Sequence, residues 1–551
     1  SMNIRKLTDS GKAFAAAISP DGKYVVHVVS DAGQQSLWIR HIATNSNTQI
    51  VPATEARFIG LTFSPDGNYI YFIRAEKNRP ALGRLYQIPV LGGTPKLLIT
   101  EVDSRISFSP DGRHFTFRRS SDSGTSAVMV AGADGSNETK LVEHSPPGAF
   151  IGDPAWSPDG KMIAIMDSSG TQAEDRRFVA IDTATGHKTE IANYLRVGQI
   201  SASAWLPDKS GLLLAFVGPG TNRTFQIGYL AYPSGQFRRV TNDLNRYDTA
   251  LSATRDAKAL VTVATEYSSN IWVMPASGTA AQATQISSGK LEALALDWTP
   301  DGKILSSTFG NGFQFDLRGS NGAGKTTLLA DSVPSIGPSA CGDGRYIVFS
   351  STRSGKGIGI WRMDGHGGNF QQLTNGVQDD FPVCSPDGTW VAYHSFTGNH
   401  SAVWKVPIDG GTPVLLSSGD GALPAVSPDG KLIAYRSIVA SGSKAPGSQF
   451  RSILVVVSSN GGSPLHTIEA DPRVYGAVRF TPDGQALSYV VNEHGAANLW
   501  AQPLSGGAPR QLTDFKSDLI FDFAWSRDGR QLALARGQVS RDVVLLTDTD
   551  K

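Results

Sequence analysis

One short motif, Ser-Pro-Asp-Gly, recurs along the whole chain and constrains its fold more than any other feature. Exact copies begin at Ser19, Ser64, Ser109, Ser157, Ser385 and Ser427. Near and degenerate copies fill the gaps, and the aspartates that mark the units are Asp21, Asp66, Asp111, Asp159, Asp208, Asp256, Asp301, Asp343, Asp387, Asp429, Asp483 and Asp528. Successive aspartates are 42 to 54 residues apart. A period of this length is typical of repeat folds, so we expect twelve copies of one structural unit.

Each unit repeats the same order of short apolar segments around the motif. A short apolar segment such as Ala16–Ile18 precedes the motif, and an alternating segment such as Tyr24–Val28 follows it. A segment with a central tryptophan such as Leu37–Ile39 comes next, and one such as Arg5–Thr8 ends the unit. Proline, aspartate and glycine favour a tight turn, because proline sets φ, aspartate bonds the local backbone and glycine accepts positive φ. Four short antiparallel strands at this spacing are typical of a β-propeller blade. The pattern therefore predicts an all-β propeller protein with twelve four-stranded blades.

The ends of the chain allow two groupings of these blades. The chain begins with a segment of fourth-strand character, Ile4–Thr8, and ends with three strands between about 520 and 546. Another fourth-strand segment, Thr284–Ser287, precedes the seventh unit. Propellers commonly close when one terminus completes the blade that the other begins. We predict two tandem six-bladed propellers, residues 1–278 and 279–551; the alternative is a single ring of twelve blades.

Charge and hydropathy exclude several classes of partner. The 551 residues include 50 basic and 49 acidic side chains, for a net charge of +1. This balance removes the electrostatic reason to expect nucleic acid or an anionic membrane surface. No run of about 18 apolar residues is present, so no segment is expected to span a bilayer. We expect a monomer with no nucleic-acid partner and no membrane contact.

The two cysteines, Cys341 and Cys384, occupy nearly equivalent positions in consecutive units beside the aspartate turn. Two cysteines cannot form a disulfide framework, and buried free thiols are common. We interpret them as buried free thiols; a bridge between them is the alternative.

The repeat resembles a known family. The segment Trp156–Lys161, a third strand with Ile-Trp, a Gly-Gly turn and a closing Leu-Thr resemble the TolB-like, or WD40-like, Pro-Asp (PD40) repeat of bacterial propellers. The segments Ser36–Ala43 and Leu85–Pro95 are similar to the C-terminal propellers of bacterial receptor-type Ser/Thr kinases and winged-helix regulators. That resemblance implies a periplasmic or extracellular sensor or scaffold, which we expect to be part of a longer, membrane-anchored protein.

Few local motifs suggest catalysis. Gly319–Thr326 satisfies the P-loop pattern, but a functional P-loop lies between a buried parallel strand and a helix, whereas this segment falls where the repeat places a hairpin turn. Kinase motifs and a nucleophile elbow at a strand-to-helix junction are absent. No His-x-x-x-His or Cys-x-x-Cys spacing occurs. We therefore predict no catalytic residues, no metal and no cofactor.

The loops that enter the first strand of each unit are the candidate binding surface. In a propeller these loops surround one mouth of the central channel. The arginine, aspartate and tyrosine side chains at this predicted mouth are Arg57, Asp103, Arg105, Asp153, Arg196, Arg246, Tyr247, Asp248, Asp379, Asp380, Arg473, Tyr475 and Asp522. Converging groups of these types suit a polar ligand or a peptide terminus, although entry loops are also polar simply because they are wet.

Fold alone does not identify a function, so three hypotheses stay open. The first is a non-catalytic module that binds a protein, peptide or glycan. The second is an enzyme that uses the channel, such as a lyase or a lactonase-like hydrolase. The third is a purely structural assembly domain.

Overall fold

The computed structural model describes residues 2–76, 83–121, 124–170, 175–193, 197–217, 225–241, 245–247, 251–309, 312–376, 378–397, 400–417, 419–440, 450–470, 474–493 and 495–548. Within these ranges the chain forms antiparallel β-sheets of four short strands, with one further sheet that contains longer strands. The only other regular element named for these residues is a short 3-10 turn at Ala280–Gln282. The predicted all-β, multi-blade propeller fold is confirmed.

The chain divides into two compact units. Unit 1 comprises Ser1–Glu266 and Ser540–Lys551. The strands that lie in unit 1 alone are β1 (Met2–Lys6), β2 (Ala13–Ile18), β3 (Tyr24–Asp31), β4 (Gln34–His41), β5 (Asn47–Thr54), β6 (Arg57–Phe63), β7 (Tyr69–Ala75), β8 (Gly83–Pro89), β9 (Lys96–Thr100), β10 (Ser107–Phe108), β11 (His114–Ser120), β12 (Ser126–Gly132), β13 (Thr139–His144), β14 (Ala149–Trp156), β15 (Met162–Ser168), β16 (Arg176–Asp182), β17 (Lys188–Asn193), β18 (Gln199–Trp205), β19 (Gly211–Val217), β20 (Gln226–Ala231), β21 (Phe237–Arg239) and β22 (Ser252–Ala253). Strands β2 to β21 form five four-stranded sheets, each in the order of the sequence.

Unit 2 is Tyr267–Val539. Two long strands, β23 (Ala259–Pro275) and β46 (Gln531–Asp548), run from one unit into the other. The strands that lie in unit 2 alone are β24 (Thr284–Gln285), β25 (Ala295–Trp298), β26 (Lys303–Phe309), β27 (Phe313–Gly319), β28 (Thr326–Asp331), β29 (Ser335–Ala340), β30 (Tyr346–Ser351), β31 (Gly359–Asp364), β32 (Gln371–Gln372), β33 (Asp379–Cys384), β34 (Trp390–Thr397), β35 (His400–Pro407), β36 (Val414–Leu415), β37 (Ala422–Val426), β38 (Leu432–Ala440), β39 (Phe450–Ser458), β40 (His466–Glu469), β41 (Val474–Phe480), β42 (Ala486–Glu493), β43 (Ala496–Pro503), β44 (Arg510–Gln511) and β45 (Leu519–Trp525). Strands β25 to β44 form five further four-stranded sheets.

The two long strands place the division elsewhere than the sequence suggested. In unit 1, β22 pairs with the first half of β23, and β1 pairs with the end of β46, where Ile4 lies opposite Leu546. In unit 2, β24 pairs with the second half of β23, and β45 pairs with the first half of β46. Residues 267–278 therefore group with unit 2, and residues 540–551 group with unit 1. The reason is that β23 and β46 continue as strands where the repeat pattern suggested separate, shorter ones.

Hydroxyl groups stabilise the repeated turn as its composition predicts. In the first copy, the Ser19 hydroxyl donates to Asp21 Oδ1 at 2.7 Å, and the same oxygen accepts the Lys23 amide at 3.1 Å. Gly22 has φ of 74° and donates to the Ser19 carbonyl at 2.9 Å. A serine or threonine hydroxyl is the largest cause of a lowered carboxyl pKa at Asp21, Asp66, Asp111, Asp256, Asp387, Asp429, Asp483 and Asp528.

These turns predict acid sensitivity. A carboxyl whose pKa is lower in the folded than in the unfolded state stabilises the fold above the unfolded value, here 3.8, and that contribution is lost as the pH falls through the folded value. We expect the free energy of unfolding, measured by urea titration, to fall steadily between about pH 4 and pH 2. Ser427→Ala should make this dependence shallower, and identical pH profiles for the wild type and the variant would contradict the prediction.

The apolar core lies between consecutive sheets. Val26 and Leu37 of the first sheet, for example, share one buried cluster with Phe58 and Phe72 of the second. A four-stranded sheet has two apolar faces, and each face needs a neighbouring sheet to exclude water. Packing between blades therefore stabilises the fold and leaves the edges of the first strands available to line a channel.

An arginine replaces the motif proline in the sixth and twelfth units, and in both it joins blades. Arg255 donates through its amide to the Pro20 carbonyl at 3.0 Å and through Nη2 to the Pro65 carbonyl. Arg527 donates through Nε to the Trp298 carbonyl at 3.3 Å and through Nη2 to the Ala340 carbonyl at 2.7 Å. In unit 1 and in unit 2 alike, the arginine thus connects the last copy of the repeat to the first two copies. We name these contacts the arginine clasps.

The cysteine prediction is wrong in one respect. Cys341 and Cys384 are buried as expected, but they form a disulfide with a Cα–Cα distance of 5.0 Å. The bond connects the ends of β29 and β33, the first strands of consecutive sheets in unit 2. Equivalent positions in neighbouring blades are adjacent in space, and this brings the two thiols together.

The P-loop-like segment is a hairpin turn, as predicted. It connects β27 to β28, and Gly319 and Ala323 close the turn through an amide-to-carbonyl bond of 2.9 Å. Lys325 pairs with Asp316 at 3.1 Å. No helix follows the glycines, so the segment lacks the helix N-terminus on which a P-loop holds phosphate.

Candidate functional site

Two of the predicted mouth residues of unit 1, Arg105 and Asp153, bind each other. The Arg105 amide donates to Asp153 Oδ1 at 2.9 Å, and Nε lies 3.5 Å from Oδ2. Arg105 Nη1 also donates to the Leu251 carbonyl at 2.7 Å, which joins the third sheet to the segment just before β22. Burial raises the pKa of Asp153, against the opposing effect of the Arg105 charge. These contacts commit both side chains to holding the inner strands of unit 1 together.

The other described mouth residues of unit 1 each have partners of their own. Tyr247 is fully buried in an apolar cluster. Arg246 lies over the Phe225 ring at 5.2 Å and Arg57 over the Phe14 ring at 5.8 Å. Asp103 Oδ2 accepts the Ser120 amide at 2.6 Å.

In unit 2, two adjacent predicted aspartates are buried. Asp379 accepts the Gly376 amide at 3.1 Å. Asp380 Oδ1 lies 2.7 Å from His394 Nδ1, and His394 Nε2 lies 2.7 Å from the Ser401 hydroxyl. That hydroxyl donates to the Gly421 carbonyl at 2.9 Å. These contacts link β33, β34 and β35 to the segment that precedes β37.

Three predicted site residues, Arg196, Asp248 and Arg473, lie outside the described residues, and for Tyr475 only the backbone, in β41, is described. The remaining one, Asp522, lies in the wall of a central channel in unit 2.

The channel of unit 2 is formed by the first strand of each sheet. Strands β25, β29, β33, β37, β41 and β45 contact one another in sequence, and β45 contacts β25, which closes the ring. They enclose a cavity of about 760 Å³. Its wall is largely apolar and rich in proline; the prolines that line it are Pro300, Pro338, Pro382, Pro386, Pro424, Pro428 and Pro482.

Irregular backbone shapes this wall. In β29, β33, β37 and β41 the register with the second strand shifts at equivalent places. The residue at each shift has positive φ: Gly337 at 60°, Phe381 at 50°, Leu423 at 56° and Gly476 at 73°. Positive φ is unusual for a residue as bulky as phenylalanine, and strained backbone of this kind clusters at ligand sites. The Phe381 side chain is 45% exposed and lines the cavity.

Two charged groups of the wall, Arg479 and Asp522, form a network with each other and with the backbone. Arg479 Nη2 donates to Asp522 at 3.2 Å and to the Leu296 carbonyl at 3.0 Å. Asp522 also accepts the amides of Leu296 and Phe523, each at 2.8 Å. Burial opposes the charge on Arg479, but Asp522 and Asp297 outweigh it and raise the pKa of the guanidinium. The network holds β41, β45 and β25 together around the channel.

Reasoning from sequence missed most of this wall, including Arg479 and Arg527. It favoured loops that enter the first strands, whereas the cavity is lined mainly by the strands themselves. One signal in the sequence could have indicated a wall residue: Arg527 occupies the position at which the repeat has proline.

In the described part of the chain, no three His, Cys, Asp or Glu side chains are placed to hold a metal ion. Over the same residues, no helix has the length and hydropathy needed to cross a membrane.

A comparison with protein families agrees with the blades. Residues 115–358 match the model of the family described as PD40, the TolB beta propeller domain. This stretch is similar to the TolB β-propeller domain. The expected TolB-like Pro-Asp repeat is thereby confirmed. An uncharacterized protein of Agrobacterium fabrum, Atu1656, is 31% identical over 127 residues, which cover 22% of this chain and 42% of that relative.

Solved structures similar to this chain include three at low identity. A Niastella koreensis GH74 enzyme is 12% identical, with 98% of this chain and 91% of that chain covered and a TM-score of 0.38. The tricorn protease is 11% identical, with 98% and 62% covered and a TM-score of 0.33. TolB from Acinetobacter baumannii is 17% identical, with 83% and 82% covered and a TM-score of 0.21. The protease and enzyme activities in these names belong to those proteins.

Proposed function

We propose that this chain is a non-catalytic binding propeller whose ligand occupies the channel of unit 2. The observation that carries this proposal is the cavity of about 760 Å³ enclosed by the six first strands. Its volume is within the range of small-molecule sites, and an apolar wall with few polar groups is typical of them.

The chemistry of the wall favours binding over catalysis. A general acid or base needs a carboxyl group that is free to exchange a proton with the ligand. Asp297 already accepts bonds from the Trp298 amide, the Ser339 hydroxyl and the Ala340 amide, at 2.8 to 2.9 Å. Asp522 is occupied by two amides and Arg479. Both carboxylates therefore serve to fix the wall.

We further propose that the protein acts outside the cytoplasm, as a sensor or scaffold part of a larger bacterial signalling protein. The Cys341–Cys384 disulfide supports this location, because such bonds persist in oxidising compartments. The resemblance to propellers attached to membrane-anchored kinases and regulators supports the sensor role. The partner is then a protein, peptide or glycan that the ligand-bound propeller recognises.

An uncharged fluorescent dye, Nile red, tests whether the channel binds ligands. We expect fluorescence enhancement with saturable binding to the wild type, because the dye leaves water for an apolar wall. Ala477 lines the cavity, so Ala477→Trp should fill the channel and weaken dye binding at least tenfold. The matched control is Ala508→Trp, at an exposed turn position of the same unit that does not line the cavity. Equal dye binding by both tryptophan variants, or no binding by the wild type, would overturn the proposed function.

A further inference from the structure

We propose that the channel of unit 2 takes an aliphatic carboxylate, with its alkyl chain along the proline-rich wall and its carboxylate against Arg479 and Arg527. This inference rests on the proposed function, since it names the ligand class of the same cavity. It follows from which hydrogen-bonding groups of the wall are already used and which are free.

The two arginines bind backbone carbonyls of the same strand of the wall, β25. Arg479 donates to the carbonyl of Leu296, and Arg527 donates to the carbonyl of Trp298. These carbonyls belong to β25 and are two residues apart, which in a strand is about 7 Å. Both side chains line the cavity. An anionic group of two oxygens can therefore face both guanidinium groups from one position.

The free hydrogen-bonding capacity of this cluster consists of donors. A guanidinium has five N–H donors, and the two side-chain bonds of Arg527 both go to backbone carbonyls. Among the described residues, Arg527 has no carboxylate partner. The neighbouring carboxylates, Asp297 and Asp522, accept three or more bonds each. A ligand must then bring the negative charge, and a carboxylate matches the arginine fork.

A buried hydroxyl adds a second polar point. Ser350 lines the cavity, is 1% exposed, and its Oγ has no hydrogen-bond partner among the described residues. It lies beneath the register shift at Gly337, where Ile336 pairs with Ser350. A built Cβ on Gly337 would meet nothing within 4 Å, so the wall is open at this point. An unpartnered buried hydroxyl is costly unless a ligand or water binds it.

The rest of the wall favours an alkyl chain over a peptide. Pro338, Pro382 and Pro424 follow each other at equivalent positions of β29, β33 and β37. Proline has no amide N–H, so these three strand edges cannot donate there to the carbonyls of an extended peptide. An alkyl chain needs no such donors and gains from burial against proline rings, Phe381 and Leu423.

Displacement of Nile red tests the inference with four competitors used below micelle formation. These are dodecanoate, dodecanol, dodecyltrimethylammonium and an acetylated leucine-rich hexapeptide with a free carboxylate. We expect dodecanoate to displace the dye at concentrations at least tenfold lower than any of the other three. Arg527→Gln should remove most of that preference and leave displacement by dodecanol unchanged, whereas Arg527→Lys, which keeps the charge, should retain part of it.

Arg255→Gln is the matched control, because the Arg255 side chain also donates to a backbone carbonyl of a neighbouring blade, in unit 1, and does not line this cavity. It should leave dodecanoate displacement unchanged, which separates loss of a clasp from loss of a ligand contact. Equal displacement by dodecanoate and dodecanol would overturn the carboxylate proposal while the channel remains a binding site. Stronger displacement by the hexapeptide would also overturn it. Absence of Nile red binding would instead contradict the proposed function.

Discussion

Reduction of the Cys341–Cys384 disulfide is expected to lower the free energy of unfolding of unit 2 by about 4 kcal/mol. The bond closes a loop between cysteines 43 residues apart, and in the chain-entropy account opening a loop of this length restores that much disorder to the unfolded state. Both half-cystines are buried and Cys384 lines the channel, so the fold also loses a connection between two neighbouring blades.

Urea unfolding with and without a phosphine reductant measures this effect. The chain has two cysteines, so the oxidised and reduced proteins differ in this one bond. The double variant Cys341→Ala, Cys384→Ala should match the reduced protein within about 1 kcal/mol, since alanine leaves only a small cavity. A difference of less than about 1 kcal/mol between the oxidised and reduced proteins would show that the loop is already constrained without the bond.

Asp522→Ala is expected to lower the free energy of unfolding by about 3 to 5 kcal/mol, the range for removing one partner of a buried ion pair. The substitution leaves Arg479 without its carboxylate and leaves the amides of Leu296 and Phe523 without acceptors. Since Asp522 lies in β45 and Leu296 in β25, the last and the first blades of unit 2 lose a direct connection. We expect the loss to appear as lower ring stability and weaker Nile red binding together.

Chemical unfolding of Asp522→Ala and Asp522→Asn measures this loss. Asparagine keeps one acceptor oxygen, so Asp522→Asn should lower the free energy of unfolding less than Asp522→Ala. Lys516→Ala is the control, because Lys516 is 87% exposed in a surface pair with Asp514, and such pairs contribute about 1 kcal/mol or less. Equal stability of the Asp522 and Lys516 variants would mean that the Asp522 carboxylate does not hold the ring.

The local chemistry of the repeat made the blades predictable. Each Ser-Pro-Asp-Gly turn depends on contacts within five residues, as in Ser19 to Tyr24, so a short pattern is enough to identify it. The P-loop-like segment was assigned correctly for the same reason, because its position in the repeat outweighed its match to a phosphate-binding motif.

Contacts between blades were harder to predict. Cys341 and Cys384 belong to neighbouring blades, and their proximity depends on how two sheets pack. Tyr247 follows an arginine in a polar stretch, yet its ring lies in a core cluster shared with β23 and β46. In both cases distant strands decide the environment of the side chain, and no local spacing reports it.

The candidate site depended most on the tertiary structure. A register shift of one residue turns a side chain from one face of a strand to the other. The one-residue shifts at Gly337, Phe381 and Leu423 therefore decide which parts of three strands face the channel, and no turn motif marks them.

By itself the sequence determined that this chain forms four-stranded blades, because turn geometry and strand alternation depend on neighbouring residues. Only the tertiary structure decided where the two units divide, that the cysteines bond, and which side chains surround the cavity. Those properties depend on contacts between strands far apart in the chain, such as β23 with β46 and β25 with β45, and these contacts form only when the blades pack together.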